Sequence, residues 1–151
     1  MSIAVLGADE LPEAIALLDA NGLPSADLET SRVRLLGVRD SRGLEGIVGI
    51  EELGEVALLR SLAVRHDRRQ SGLGSSLVAE LERSVAETGV RVVYLLTTTA
   101  EGFFARRGYA RVAREVVPAA VRATREFSAL CPSSSAVMRK PLETEAGGEP
   151  R

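Results

Sequence analysis

The chain has 151 residues, of which 45% are hydrophobic and 26% charged, and Cys131 is its one cysteine. A chain of this length can bury roughly 70% of its unfolded surface without a disulfide or a metal, and we expect no metal site. The net charge of −2 and the few aromatic residues, three Phe and two Tyr, offer neither a basic face nor stacking platforms. We therefore expect no nucleic-acid partner. The apolar runs are shorter than the ~20 residues that cross a bilayer, so we expect no membrane association. Because one cysteine cannot form an intramolecular disulfide, we expect a protein of the reducing cytoplasm.

The first half of the chain predicts a short strand, a helix and three further strands. Residues 3–6 can form the first strand, and Asp9 is predicted to cap a helix that ends at Asn21-Gly22. A short helical segment is expected over 24–31. The hydrophobic period then changes to that of strands, which are predicted over 33–38, 46–50 and 56–64. Because short turns connect these three strands, we expect an antiparallel meander.

The second half of the chain alternates helices and strands. Helices are predicted over 72–88, 100–107 and 118–130, and strands over 90–97, 109–117 and 136–141. Since a helix separates strands 56–64 and 90–97, the two should be parallel, as in a βαβ unit. The fold class is therefore α/β (α+β) with a mixed sheet. We expect a single domain over 1–142 and a disordered tail over 143–151.

The segment 59–74 has the features of an anion-binding site. A buried strand runs into an arginine-rich loop, and Gly72 and Gly74 open the following amphipathic helix. The first amides of a helix have no acceptor within it, and they attract an anion such as a pyrophosphate. Glycines let a ligand approach the backbone closely. A helix start surrounded by solvated arginines is the structural alternative.

Two motifs resemble those of the GNAT acetyltransferases. Arg69-Gln-Ser-Gly72-Leu-Gly74 matches the Arg/Gln-x-x-Gly-x-Gly/Ala loop of that superfamily, and Phe103-Phe-Ala-Arg-Arg-Gly-Tyr109 is similar to its later Phe-Tyr-x-x-x-Gly-Phe segment. The likeness covers about residues 1–142. It implies a GNAT-like fold, with helices on both faces of the sheet and a parallel central strand pair that splays at the cofactor site. It also implies acetyl-CoA as the acetyl donor.

The resemblance also implies which residues hold acetyl-CoA. The pyrophosphate would be bound by the backbone amides of Arg69, Gln70, Ser71, Gly72, Leu73, Gly74 and Ser75. Leu62, Ala63 and Val64 would pair with the pantetheine arm, where the strand bulges. Gln70 stands where glycine is common and Ser71 where a basic residue is common. Because the amides carry most of the contact, we expect weaker charge but an intact site.

A closer resemblance concerns the acceptor of the acetyl group. The segment Leu95-Leu-Thr-Thr-Thr-Ala-Glu-Gly-Phe-Phe-Ala-Arg-Arg-Gly-Tyr109 resembles the acetyltransferase domain of bacterial N-acetylglutamate synthases. Segments 58–64, 94–100 and 127–133 are similar to small GNAT proteins associated with arsenic-resistance operons. Both imply a glutamate-like amino acid as the small-molecule substrate, with arsinothricin as a candidate. Alternatives left open are a non-catalytic CoA-binding sensor and a protein N-terminal or antibiotic acetyltransferase. A homodimer is also left open.

Individual residues can be assigned to the expected chemistry. Members of the superfamily often have a Tyr that protonates the departing thiolate, but Phe104 occupies that position here. Phe104 is predicted to pack against the cofactor or the core. The residue that acts as the acid stays unassigned. Glu51 is preferred over Glu52 and Glu55 as a general base that acts through water. Cys131 is interpreted as an inert buried thiol rather than an arsenic ligand.

Arg60 differs from the other arginines because apolar residues flank it on both sides. A buried guanidinium needs a carboxylate, which either an internal Glu or the substrate could supply. Alternation places Arg60 on one face with Leu62 and Val64. Arg60 is predicted to bind the carboxylate of the amino acid. Further predicted contacts to the amino acid are Ser61, Thr97, Thr98, Thr99 and Ser133.

Overall fold

The computed structural model of the chain describes residues 2–28, 32–130 and 134–142. Within them the strands are β1 (Ala4–Val5), β2 (Arg34–Asp40), β3 (Gly43–Leu53), β4 (Val56–Val64), β5 (Val92–Thr97), β6 (Ala110–Val112) and β7 (Ala136–Pro141). The α-helices are α1 (Leu11–Ala20), α2 (Leu73–Ala86), α3 (Glu101–Ala105) and α4 (Ala119–Arg122). None of the helices in these ranges combines the length and apolar character needed to cross a membrane. The predicted tail over 143–151 lies outside the described residues.

The strands form one mixed sheet in the order β1-β2-β3-β4-β5-β7-β6. β1 pairs with β2 and β2 with β3 in antiparallel registers, and β3 lies next to β4. β4 and β5 are parallel, with Val56 opposite Val92 and Leu58 opposite Tyr94. β7 is antiparallel to both β5 and β6. The predicted meander and the predicted parallel central pair are therefore confirmed.

The chain divides into two units, each with its own hydrophobic core. Unit 1 comprises Met1–Glu51 and Leu59–Leu81, and unit 2 comprises Glu52–Leu58 and Glu82–Arg151. A core cluster in unit 1 contains Ala14, Leu18, Leu28, Leu35, Leu44, Ile47 and Ala63. A core cluster in unit 2 contains Leu58, Tyr94, Val117, Val121 and Val137. That residues 1–142 form a single domain stays a prediction.

Helices α1 and α2 pack on opposite faces of the unit 1 strands. Ile47 of β3 lies in the core cluster with Leu18 of α1. The preceding residue, Gly46, faces the other way, because successive strand residues alternate in direction. A Cβ atom on Gly46 would lie 3.0 Å from Cδ1 of Leu77 and 3.1 Å from Cδ2 of Leu73. Glycine at this position therefore lets α2 pack closely against β3.

The strand predicted over 109–117 is shorter in the structure. β6 ends at Val112 and a 3-10 turn follows over Arg114–Val116. Val117, whose backbone is extended, and Val121 of α4 both pack in the core of unit 2. The chain therefore turns before Val117, and Val117 packs in the core of unit 2 without extending β6.

The helix predicted over 118–130 is divided into two pieces. α4 ends at Arg122, and a π-helical turn covers Glu126–Leu130. Between them the Thr124 hydroxyl donates to the Val121 carbonyl oxygen at 2.7 Å and accepts from the Phe127 amide at 3.3 Å. A side chain that takes over backbone hydrogen bonds in this way interrupts a helix.

The start of α1 also differs from the prediction. Asp9 does not cap it; a 3-10 turn over Ala8–Glu10 precedes the helix, and Glu10 accepts the Gly7 amide at 2.9 Å. The structure describes residues 24–28 of the helical segment predicted over 24–31. These residues contain a turn and no helix. Helix α1 ends at Ala20, and Asn21 caps it with Gly22 at φ +69° just after, as predicted.

Candidate cofactor and acceptor site

The loop between β4 and α2 has the backbone geometry of an anion site. Gly72 has φ +86°, and a Cβ atom built on it would meet no other atom within 4 Å. The Ser76 amide donates to the Gly72 carbonyl oxygen at 3.1 Å. The amides of Leu73, Gly74 and Ser75 therefore precede the first helical bond and have no acceptor within the helix. Open space next to first-turn amides fits a pyrophosphate group such as that of acetyl-CoA.

The backbone conformation of Gln70 explains why glycine is common at this position of the superfamily motif. Its φ is +65°, in the left-handed region that residues with a side chain rarely adopt. Such a conformation costs about 1–2 kcal/mol for a residue that is not glycine. The neighbouring Ser71 hydroxyl donates to the Arg68 carbonyl oxygen, which closes the loop just before the helix.

The loop arginines differ in their partners. Both terminal nitrogens of Arg65 donate to Asp40, at 3.1 and 2.7 Å, and its Nε donates to Asp67 at 2.7 Å. Nε of Arg68 lies 2.7 Å from Oε1 of Glu45. Arg69 donates to the amide oxygen of Asn21 at 2.6 Å, which is a neutral partner. Sequence reasoning assigned positive charge to the loop but missed the carboxylates that pair with it.

Arg60 is buried and bonded to carboxylates of its own chain. Its two terminal nitrogens donate to the two oxygens of Asp27 at 2.7 and 2.6 Å, and Nη1 also donates to Glu51 at 3.0 Å. The side chains of Arg60 and Asp27 have no exposed surface, and that of Glu51 is 8% exposed. This is the internal pairing that the sequence left open as an alternative. It gives Glu51 a fixed position next to a cation, while its role as general base stays a prediction.

Ser61 breaks the regular conformation of β4. Its φ is +60°, and its hydroxyl accepts from Nε of Arg60 at 3.2 Å. A left-handed residue within a strand interrupts the alternation of side chains, so the expected common face of Arg60, Leu62 and Val64 is wrong. Beyond Ser61, Leu62 and Val64 are partly exposed and Ala63 is buried in the core of unit 1. Their pairing with the pantetheine arm stays a prediction.

The remaining predicted residues belong to unit 2. Thr97 ends β5 and its hydroxyl accepts the Ala100 amide at 2.9 Å, just before α3, whereas Thr98 and Thr99 are exposed. Phe104 is buried, and its ring lies edge-on to the rings of Phe103 and Tyr109, with centroid distances of 5.1 and 5.6 Å. Ser133 and Cys131 lie outside the described residues.

The hydroxyl group of Tyr109 is hydrogen-bonded to a carboxylate of α2. Its hydroxyl donates to Glu82 at 2.9 Å, and Lys140 donates to the other oxygen of that carboxylate at 2.9 Å. Burial, together with the negative charge of Glu82, raises the pKa of Tyr109 well above its usual value. Tyr109 therefore holds its proton at neutral pH and serves as a structural residue.

The mixed sheet with its parallel central pair, and the open glycine loop at the start of α2, are the features that the resemblance to GNAT acetyltransferases implied. Residues 32–111, which are 80 of the 151, match the family model described as Acetyltransferase (GNAT) domain. The chain belongs to this family.

Three relatives illustrate the similarity. An uncharacterized N-acetyltransferase of Chlorobaculum tepidum is 41% identical over 64 residues, which are 42% of this chain and 41% of that protein. N-acetylglutamate synthase from Neisseria gonorrhoeae, complexed with coenzyme A and N-acetyl-glutamate, has a TM-score of 0.76 at 18% identity, over 95% of this chain and 36% of that chain. The ribosomal-protein-S18-alanine N-acetyltransferase from Escherichia coli has a TM-score of 0.73 at 16% identity, over 95% and 94%.

The chain covers only part of two of these relatives. The chain spans about two fifths of the Chlorobaculum protein and about a third of the Neisseria synthase. At identities under a fifth, the two solved structures show a common fold, and the predicted GNAT fold is confirmed.

Proposed function

We propose that the chain is an acetyl-CoA-dependent N-acetyltransferase that transfers the acetyl group directly to the amino group of a small, glutamate-like amino acid in the cytoplasm. The observation that carries the proposal is the open glycine loop at the start of α2. Its first-turn amides lie before the first helical hydrogen bond, and Gly72 leaves the space beside them free. Membership of the GNAT family supports acetyl-CoA as the donor.

Acetyl transfer to an amine requires a neutral nucleophile, a close carbonyl and a proton for the departing thiolate. Acetyl-CoA supplies the activated thioester. In our proposal the amides of the α2 loop hold the pyrophosphate, and Leu62, Ala63 and Val64 hold the pantetheine arm. Glu51 removes the proton of the amine through a water molecule. Because Phe104 has no hydroxyl, the thiolate takes its proton from water.

Arg60 contributes indirectly in this scheme. A guanidinium whose nitrogens are bonded to Asp27 and Glu51 is suited to holding Glu51 in place. Thr97, Thr98, Thr99, Ser61 and Ser133 are proposed as contacts to the amino acid. Since the Neisseria relative is an N-acetylglutamate synthase, we extend the proposal to glutamate analogues such as arsinothricin, with a role in arsenic or toxin resistance.

Two other functions have specific support. Phe104, at the position of the usual acid, favours a CoA-binding sensor without turnover. The Escherichia coli relative acts on the alanine of ribosomal protein S18, which favours a protein N-terminal acetyltransferase. Thiol release from acetyl-CoA separates the three functions when it is measured with glutamate, aspartate, phosphinothricin, arsinothricin and a peptide with an N-terminal alanine. Turnover of the peptide alone, or binding without any turnover, would overturn the proposal.

The donor site has its own test, with a matched control. Gly72→Glu places a carboxylate in the anion site, where it repels the pyrophosphate. Gly54 has a similar φ of +84° and equally open surroundings in the turn between β3 and β4. Gly54→Glu therefore introduces the same backbone strain and charge outside the loop. We expect calorimetry to show acetyl-CoA binding for Gly54→Glu and none for Gly72→Glu; normal binding by Gly72→Glu would place the cofactor elsewhere.

A further inference from the structure

Six charged side chains join the α2 loop to the hairpin of β2 and β3. From the hairpin come Asp40, Arg42 and Glu45, and from the loop come Arg65, Asp67 and Arg68; we call this set the ion cluster. Arg65 lies at its centre, because all three of its guanidinium nitrogens donate to Asp40 or Asp67. Its backbone amide also donates to the Glu45 carbonyl oxygen at 2.7 Å.

The ion cluster leaves Arg65 poorly placed to bind a phosphate. Hydrogen bonds from Arg65 and then from Arg42 lower the pKa of Asp67 to about 2. Hydrogen bonds from Arg65 and from the Arg42 amide hold the pKa of Asp40 well below its usual value. Both carboxylates therefore stay ionised at neutral pH. Three cations and three carboxylates cancel, and the guanidinium of Arg65 is directed at the hairpin.

The backbone of the loop needs such a constraint. Between the 3-10 turn His66–Arg68 and α2 the chain has no regular structure, and it includes the left-handed residue Gln70. Binding by backbone amides is strong only when these amides are already oriented, because ordering them at the moment of binding costs affinity. A charged cluster that fixes the start of the loop supplies this order from the hairpin.

We propose that Arg65 is a positioning residue that orders the anion-binding loop through Asp40 and Asp67 and does not itself bind phosphate. The proposal rests on the proposed function, since it concerns affinity for acetyl-CoA. It also makes a statement about the free protein that does not depend on any ligand: the order of the loop depends on carboxylates of the hairpin and of the loop.

Two substitutions distinguish positioning from direct binding by the sign of their effect. Asp40→Asn removes the negative charge of this partner of Arg65 and one of the two oxygens that accept its hydrogen bonds. If Arg65 bound phosphate, Asp40→Asn would free it and leave acetyl-CoA affinity unchanged or higher. If Arg65 positions the loop, Asp40→Asn and Arg65→Gln each weaken binding by about three- to tenfold, and the double variant is no worse than either single one. Equal or tighter binding by Asp40→Asn would overturn the proposal.

Hydrogen exchange of the free protein supplies a second readout. We expect backbone amides over 66–76 to exchange several-fold faster in Asp40→Asn and in Asp67→Asn than in the unaltered protein. Arg83→Gln is the matched control, because Arg83 pairs with Glu87 on the exposed surface of α2 and should change neither exchange nor affinity. Unchanged exchange in both carboxylate variants would refute the positioning role even if the protein binds no acetyl-CoA. Absent binding together with faster exchange would refute the proposed function alone.

Discussion

Replacing Arg60 by methionine removes the cation from a buried site and leaves two carboxylates behind. Asp27 has no exposed surface and the side chain of Glu51 is 8% exposed, so water cannot replace the lost hydrogen bonds. Removing one partner of a buried ion pair costs about 3–5 kcal/mol. In a chain of this size each kcal/mol lowers the melting temperature by about 2–4 °C. We therefore expect Arg60→Met to melt roughly 6–20 °C below the unaltered protein.

Thermal and urea unfolding measure this loss, and acceptor kinetics complete the test. Arg83→Met is the control, because its exposed pair with Glu87 is worth less than about 1 kcal/mol. Adding Asp27→Asn to Arg60→Met should recover part of the loss, since it removes one of the two buried negative charges. A melting temperature within about 2 °C of the unaltered protein, together with a ten- to hundredfold rise in acceptor KM, would refute the internal role. Arg60 would then bind the carboxylate of the acceptor.

Three further predictions follow from the described contacts. Phe104→Leu should change activity by less than about tenfold and leave the shape of the pH–rate profile unaltered; loss of an acidic limb would contradict this. Gln70→Gly should raise the free energy of unfolding in urea by up to about 1 kcal/mol, because glycine adopts the left-handed conformation without strain; a lower urea midpoint would contradict it. Above pH about 10 the unfolded chain ionises its tyrosines while Tyr109 stays protonated in the fold, so stability falls as pH rises. Tyr109→Phe should flatten this alkaline loss, and identical slopes for both proteins would refute the assignment.

Much of the fold could be predicted from periodicity. The bounds of β4, Val56–Val64, and of β7, Ala136–Pro141, agree with the sequence at both ends. β4 is largely buried, so its apolar residues form a nearly continuous run. β7 is buried over its first three residues and ends at a proline, which marks its boundary in the sequence. The strand predicted over 109–117 was too long, because β6 is the outermost strand and ends at Val112. Val117 is apolar because it packs in the core of unit 2 beyond a 3-10 turn.

The site could be predicted only where the contact is local. The glycine loop is contiguous in sequence, so its motif indicated an anion site directly. The partner of Arg60 could not be found in the same way, because Asp27 precedes it by 33 residues and follows no periodic pattern. The same holds for Arg65 and Asp40, which are 25 residues apart. Acidic and basic residues are both frequent in this sequence, and only the folded structure shows which of them form ion pairs.

Lys140 is the one lysine of the chain. Its ammonium group donates to Glu82 and lies 5.8 Å from the ring of Tyr109. A protein that handles a reactive thioester is exposed to acetylation of its own amines. Arginine guanidinium groups, which supply the other basic side chains apart from His66, stay protonated and are poor acyl acceptors. The basic side chains therefore offer the proposed acyl donor a single primary amine, which is paired with a carboxylate.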